Sequence, residues 1–392
     1  MKKIKIVFIQ HQLVCGGAEQ ALFDLICLMD KTKFDITVLT LVGDGEWEDK
    51  FKKAGIPVVN IFYKRKKDNN PVRFLRHQLR KLKVRWLMKV KPKKLLTYLI
   101  GDGIDISVAY SFGGFEEVAM VENAKYVKYV HGDIETYPIY RDTFLRIKNV
   151  LPKYNRIICV SEKAYEAFKR ITGVEENVEM HFNPINSDNV RQLAEQRISI
   201  PEDMPYICAV GRLSPEKGYD RLIRIHKKIL DQGIAHKLII VGDGPEKESL
   251  FKTVQEIGVL ESVYLVGYQP NPYPYMKHSC FVVCSSYTEG LPVIAMEALS
   301  LGIPVVSAVP SIAEAFGVEC CGIITENDDD SLESGIKKML EDQVFYEKAK
   351  QGAINRSDFF DGKRMVKEIE NIFIELMEGK KDGFGQRDCP NI

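Results

Sequence analysis

The chain has 392 residues, 45% hydrophobic and 28% charged, the balance of a globular enzyme with material for two cores. A formal net charge of +1 gives no electrostatic case for a nucleic-acid partner. Nine scattered cysteines show no zinc-ligand spacing, even at Cys280/Cys284 and Cys320/Cys321, and read as reduced thiols. No run approaches about 18 apolar residues, so no membrane-spanning helix is expected. The short, interrupted apolar start at Ile4–Gln10 reads as a buried strand and not as a signal peptide.

In chain order, that strand leads into a Gly16-Gly17 loop, a helix over Ala18–Met29 and a strand over Phe34–Thr40. Further buried strands are expected at Ile104–Tyr110, Ala124–His131 and Arg156–Val160, with a helix at Glu162–Ile171. The pattern breaks at Asn183-Pro184, and the polar stretch 186–204 reads as a linker. It then restarts with strands at Tyr206–Val210, Lys237–Val241, Val263–Val266, Cys280–Cys284 and Pro304–Ser307, and helices at Glu246–Ile257 and Pro292–Leu301. Short apolar strands alternating with helices predict α/β architecture with parallel sheets. The expected division is 1–185, 186–204 and 205–355, then a helix within 356–378, with an amphipathic face at Met365–Glu378, and a disordered tail at 379–392. Two such units imply a cleft where ligands bind.

The segment 64–94 stands apart. It holds 14 Lys and Arg against one acid, Asp68, a local charge of +13 that leaves −12 for the remainder. Phe74, Leu75, Leu79, Leu82, Trp86, Leu87 and Val90 recur within it at roughly helical spacing. A basic amphipathic helix suits an anionic membrane surface. The same pattern also describes a solvated charged face over an ordinary core stripe.

The chemistry concentrates after two strands of the second half. In Ser285–Ala308, Pro292 fits the first turn of a helix, and Gly302 with Pro304 ends it. Glu289 then stands in the strand-to-helix loop, Glu297 lies inside the helix, and the helix N-terminus offers amides and a dipole to phosphate. Glu289 as a cap and Glu297 facing water is the plainer alternative. In Gly211–Gly218, Arg212 and Lys217 share one loop and can bracket a diphosphate, or be two surface cations. Gly16-Gly17 lacks the first glycine of G-x-G-x-x-G, and His131 ends a strand of the first half, where a structural histidine is equally in keeping. Asp328-Asp329-Asp330 precedes Ser331 and a helical pattern, which fits capping better than a metal site.

Together GGAEQ at 16–20, His131-Gly132, Asn183-Pro184, GRLSPEKG at 211–218, VGDGP at 241–245 and the E-x7-E pair Glu289/Glu297 resemble the family-4 retaining glycosyltransferases. The resemblance runs from Ile4 to about Met377 and is densest over Tyr206–Ala308. It implies the GT-B fold, an acceptor-binding first domain, a nucleotide-sugar-binding second domain and a C-terminal helix crossing back to the first. It assigns Arg212 and Lys217 to the diphosphate, Glu297 to the ribose hydroxyls and Glu289 to the donor sugar. Gly290, Leu291 and Val293 contribute backbone donors, Pro292 stands among them in the donor site, and Gly267 and Tyr268 stand near the base. His131 is implied near the sugar's primary hydroxyl, and Gly16 and Gly17 near phosphate and acceptor. Glu289, His131, Arg212 and Lys217 are the implied catalytic set.

The implied reaction is metal-independent, cofactor-free hexosyl transfer with retention, from a UDP-sugar ahead of a GDP-sugar. The acceptor is a saccharide or lipid-linked saccharide in surface polysaccharide or glycolipid synthesis. With the basic segment, it places the chain in the cytoplasm at the inner membrane face. Competing readings are a GT-B-like sugar-nucleotide epimerase or phosphorylase and a non-catalytic nucleotide-sugar binder. An NAD oxidoreductase is disfavoured by the missing G-x-G-x-x-G.

Overall fold

The computed structural model describes residues 2–14, 16–63, 71–111, 116–132, 134–135, 138–198 and 205–379. Residues 64–70 of the basic segment, 199–204 of the expected linker and the tail from 380 lie outside the described residues. The chain divides into two units. The first holds the chain up to Asn183 plus the C-terminal helix from Arg364, and the second holds Pro184–Lys363.

In the first unit seven strands form one sheet: β1 (Ile4–Gln10), β2 (Phe34–Val42), β3 (Val58–Phe62), β4 (Ile106–Ala109), β5 (Lys125–Val130), β6 (Arg156–Cys159) and β7 (Val178–Met180). Their order is β3-β2-β1-β4-β5-β6-β7, and every described pairing is parallel. The apolar run of β1 follows from burial on both faces. Side chains alternate along a strand, so Ile6 and Phe8 enter one core while Val7 and Ile9 enter the other. Strands β3 and β7 were not expected: Asn60 interrupts the first and the second has three residues.

The helix Gly362–Glu378 closes the core on the Ile6/Phe8 side. Ile369, Ile372, Phe373 and Leu376 are buried there. Phe373 meets Phe8 and Phe34 edge-on, with centroids 6.3 and 6.4 Å apart, the tilted geometry aromatic quadrupoles favour. A polar clasp adds to this contact. His181, just after β7, reaches Glu179 at 3.3 Å and Glu368 of the helix at 3.4 Å.

The second unit has six strands: β8 (Tyr206–Val210), β9 (Lys237–Val241), β10 (Val263–Gly267), β11 (Val282–Cys284), β12 (Val305–Ser307) and β13 (Gly322–Ile324). They run in the order β10-β9-β8-β11-β12-β13, again all parallel. Strand order reverses between β8 and β11, the point where open α/β sheets leave a crevice at their carboxyl edge. The stretch read as a linker differs from expectation. Ser187–Ala194 is a helix capped by Asn186, whose side chain accepts from the Asn189 amide. It belongs to the second unit, because Val190 and Ala194 supply an apolar face that must be buried.

The basic segment also departs from its expected form. Pro71–Val90 is one helix, but its apolar residues do not form a single stripe. Leu87 is buried with Val84, while Leu75, Leu79, Leu82, Trp86 and Val90 are exposed.

Burial alone would lower the pKa of His181, but Glu179 and Glu368 outweigh it and raise it to about 9. A raised folded-state value means that the charge stabilises the fold fully below the unfolded pKa of about 6.5. That contribution is lost as pH rises through about 9. Thermal melts between pH 6.5 and 10 are therefore expected to show a declining midpoint, and His181→Gln to flatten that decline.

Candidate functional site

Glu289 and Lys217 meet at the reversal point of the second sheet. Lys217 ends the loop after β8, in a 3-10 turn over Pro215–Lys217. Glu289 stands in the loop after β11. Because β8 and β11 are neighbours, residues far apart in sequence arrive side by side. Lys217 Nζ donates to Glu289 Oε1 at 2.9 Å, with both side chains largely buried. Burial opposes the lysine charge, yet Glu289 outweighs it and the Lys217 pKa rises. The Ser286 hydroxyl donates to the same carboxylate oxygen. The spacing Ser286-x-x-Glu289 is a local signal for that bond, legible in the sequence.

The two loops are laced together. Ser285 Oγ donates to the Lys217 carbonyl at 2.9 Å, and the Tyr287 amide donates to the Glu216 carbonyl at 2.9 Å. Gly218 shows why no side chain fits between them. Its φ is +63°, and a Cβ there would stand 2.4 Å from the Ser285 carbonyl oxygen.

Beneath the loop lies Arg221, from the helix Tyr219–Asp231. Its Nε donates to Ser285 O at 2.9 Å, and Nη2 donates to Ser285 O at 2.5 Å and to Ser286 O at 3.0 Å. Its guanidinium also lies over the Tyr287 ring at 4.1 Å. Asn327 Nδ2 donates to Tyr287 O at 2.8 Å from the far side. Nothing in the local sequence marks Arg221, because its partners are 64 and 65 residues away.

Pro292 is the N-cap of the helix Val293–Ser300 rather than its first residue. Its ψ of 111° is extended, so the helix begins one residue later than expected, and no side chain caps it. Gly290 and the buried Leu291 lead into that terminus. Glu297, in the helix interior, is 5% exposed and accepts from Tyr273 Oη at 2.8 Å. Burial excludes the reading in which Glu297 faces water. Tyr273, 24 residues away, is a partner that spacing did not reveal.

Arg212 is exposed, and among the described residues its guanidinium has no ion pair or hydrogen-bond partner. Gly267 closes β10, where its carbonyl accepts from the Gly242 amide at 2.9 Å, and Tyr268 is half-exposed beside it. Asp328 caps the helix Asp329–Glu341, accepting from the Ser331 amide at 2.8 Å.

Gly16, Gly17 and His131 stand in the first unit, following β1 and β5. Gly16 is the N-cap of the helix Gly17–Leu28. A Cβ on it would sit 2.5 Å from the Glu19 carboxylate, which is held by Gln10 Nε2 at 2.6 Å. Burial raises the Glu19 pKa. His131 lies against Tyr110 and Tyr129, with centroids 4.3 and 5.5 Å away. Burial first, then Lys128, lowers its pKa to about 3, so the ring is neutral near pH 7.

Residues 190–356, within the second unit, match the model of the family Glycosyl transferases group 1. That match covers most of the second unit. The chain is similar to the N-acetylgalactosamine-N,N'-diacetylbacillosaminyl-diphospho-undecaprenol 4-alpha-N-acetylgalactosaminyltransferase of Campylobacter jejuni. Identity is 31%, over 48% of this chain and 52% of that protein. It is also similar to the putative teichuronic acid biosynthesis glycosyltransferase TuaC of Bacillus subtilis, 27% identical over 63% of each. The matches thus span between half and two thirds of these relatives' lengths.

Among solved structures, Anabaena Alr3699/HepE in complex with UDP and glucose aligns over 95% of this chain and all of its own. The TM-score is 0.74 at 18% identity. At that identity the likeness establishes the fold, which is GT-B. The second unit holds Arg212, Lys217, Glu289 and Glu297 on two neighbouring loops and the helix that follows one of them.

Arg221 carries the geometry of the carboxylate loop. Arg221→Ala removes three charge-assisted hydrogen bonds and strands the Ser285 carbonyl, while Ser286 O keeps only Asn327 Nδ2 at 3.3 Å. A loss of about 2–4 kcal/mol is expected, read as a lower unfolding midpoint. Arg221→Lys should restore only part of it, because an ammonium cannot span both carbonyls as a fork does.

Proposed function

We propose that the chain is a retaining, metal-independent glycosyltransferase that moves a hexose from a nucleoside diphosphate, UDP ahead of GDP, to a saccharide or lipid-linked saccharide. The Lys217–Glu289 pair carries this reading: a buried cation and carboxylate 2.9 Å apart at the sheet's reversal point, beside a helix N-terminus that no side chain caps. Diphosphate departure develops negative charge on the leaving oxygen and positive charge on the sugar ring. Lys217, Arg212 and the helix amides answer the first charge as preorganised dipoles and cations, a task a divalent metal performs elsewhere.

Glu289, already engaged by Lys217 and Ser286, accepts hydrogen bonds from the sugar hydroxyls. Glu297, oriented by Tyr273, takes the ribose. Gly267 and Tyr268 border the base, and the UDP complex of HepE supports UDP as the nucleotide. His131, neutral and packed against two tyrosines, serves the sugar's primary hydroxyl as a hydrogen-bonding group rather than as a cation. Gly16 and Gly17 leave backbone open to phosphate and acceptor. In the proposed transfer the acceptor hydroxyl attacks the anomeric carbon on the face from which the diphosphate leaves. The bond to phosphate breaks, and the acceptor proton passes to the departing phosphate.

The name of the Campylobacter relative contains diphospho-undecaprenol, which supports a lipid-linked acceptor here. The +13 segment supports work at an anionic, cytoplasmic membrane face. No helix among the described residues is long and apolar enough to cross a membrane.

A thermal-shift panel of UDP, GDP, ADP and their sugars tests the donor. A ligand at 100 times its Kd stabilises the folded state by about 2.7 kcal/mol, and the largest shift is expected with UDP compounds. Arg212→Ala and Lys217→Ala should each lower turnover on the order of 10²–10³, with retained folding; near-normal rates reject the clamp. Activity should persist in EDTA, and strict divalent-metal dependence rejects the metal-free route. Turnover of donor without acceptor, or dependence on inorganic phosphate, points to an epimerase or a phosphorylase.

A further inference from the structure

The helix Pro71–Val90 has two apolar faces, and only one is used by the fold. On the inner face Val84 and Leu87 join the first unit's core. Arg80 fastens the helix by donating to the carbonyls of Asn60 at 2.7 Å and Ile61 at 2.9 Å. The outer face carries Val72, Leu75, Leu79, Leu82, Trp86 and Val90, each between 50% and 62% exposed.

At about 100° per residue these six fall within an arc of about 80°, and Val84 lies about 160° from its centre. The stripe runs about 27 Å along the helix. Arg76 and Lys83 border one side and Arg85 and Lys89 the other. Monomeric proteins rarely leave so continuous an apolar surface open without a use for it.

Two occupants fit the apolar geometry, and charge separates them. The 72/75/79/82/86 spacing is that of a two-helix seam, so a second copy of the helix would match the stripe. The flanks forbid it. Arg76, Lys83 and Arg85 would face their own kind in either orientation, and the helix contains no acidic residue to relieve them. Like charges across an interface are a strong penalty. A surface of anionic headgroups complements the same flanks, while the stripe reaches the acyl boundary below. Trp86 in that stripe is the residue type that settles at such boundaries.

We propose that this helix lies flat in an anionic lipid surface with its outer stripe inserted. This rests on the membrane-facing part of the proposed function and adds a mode of binding, insertion rather than surface attraction alone. Insertion would hold the first unit, where the family resemblance puts acceptor binding, at the lipid surface by a face separate from its core.

The test uses the full chain and vesicles of phosphatidylglycerol in phosphatidylcholine. The chain has two tryptophans, and Trp47 is buried in the core, so Trp86 is a built-in reporter. Anionic vesicles should shift its emission to the blue, and lipids brominated in the tails should quench it. Trp86→Phe should abolish the quenching. The double variant Leu79→Ser/Leu82→Ser alters exposed positions only and should keep its circular dichroism. Its partitioning should weaken by about 100-fold, roughly tenfold per leucine.

Cosedimentation without quenching, lost in Arg76→Gln/Lys83→Gln/Lys89→Gln but unchanged in the double leucine variant, overturns insertion. It would leave the membrane-face reading standing. Absence of vesicle binding overturns both. A concentration-dependent dimer that the leucine variant abolishes would identify the second copy as the occupant. The nucleotide-sugar panel is independent of every one of these outcomes.

Discussion

Lys217 and Glu289 come from loops 72 residues apart, and the reversal of strand order between β8 and β11 is what makes them neighbours. Parallel strands buried on both faces cannot end their loops just anywhere. Their carboxyl ends align along one edge, and at the reversal the following helices diverge to opposite faces, which opens room between two loops. The ion pair fills that room. Its partial burial makes each charge depend on the other, since a stranded charge in such a place is costly. The hydrogen bonds of Ser285 and the Glu216 carbonyl follow from the same closeness. So does the requirement for glycine at 218.

A second layer fixes this arrangement. Arg221 holds the Ser285 and Ser286 carbonyls from below and Asn327 holds the Tyr287 carbonyl. The carboxylate loop is thereby built against rigid elements, the condition under which a site keeps geometry fine enough for chemistry. Tyr273 does the same for Glu297. In contrast, Arg212 is left without a partner among the described residues, so its charge is available to an arriving anion.

The first unit follows the same winding but puts its apolar material to a further use. The C-terminal helix spends Ile369, Ile372 and Phe373 on the core. The basic helix spends Val84 and Leu87 in the same way, yet keeps six large apolar residues outside. Helical periodicity in the sequence merges the two faces, so Leu82 and Leu87 look like one stripe. They lie on different sides of the helix, and only the position of the neighbouring core separates them.

The order of apolar strands and helices was legible because two-sided burial writes continuous runs such as IKIVFIQ and YICAV into the chain. Strands whose apolar run a polar residue breaks, such as β3 at Asn60 and β7 at Glu179, leave no such run. The residue types at the carboxyl edge of the second sheet, Arg212, Lys217 and Glu289 in loops and Glu297 in a helix, were also written locally, because each loop follows a strong strand and precedes a helix. The sequence by itself determined those elements and residue types, since hydrophobic periodicity and turn chemistry act over a few residues. Only the tertiary structure decided that Lys217 holds Glu289, that Tyr273 holds Glu297, that Arg221 lies beneath the loop and that His131 packs against Tyr110 and Tyr129. Those contacts depend on which strands become neighbours, a property of the packed sheet rather than of any stretch of chain.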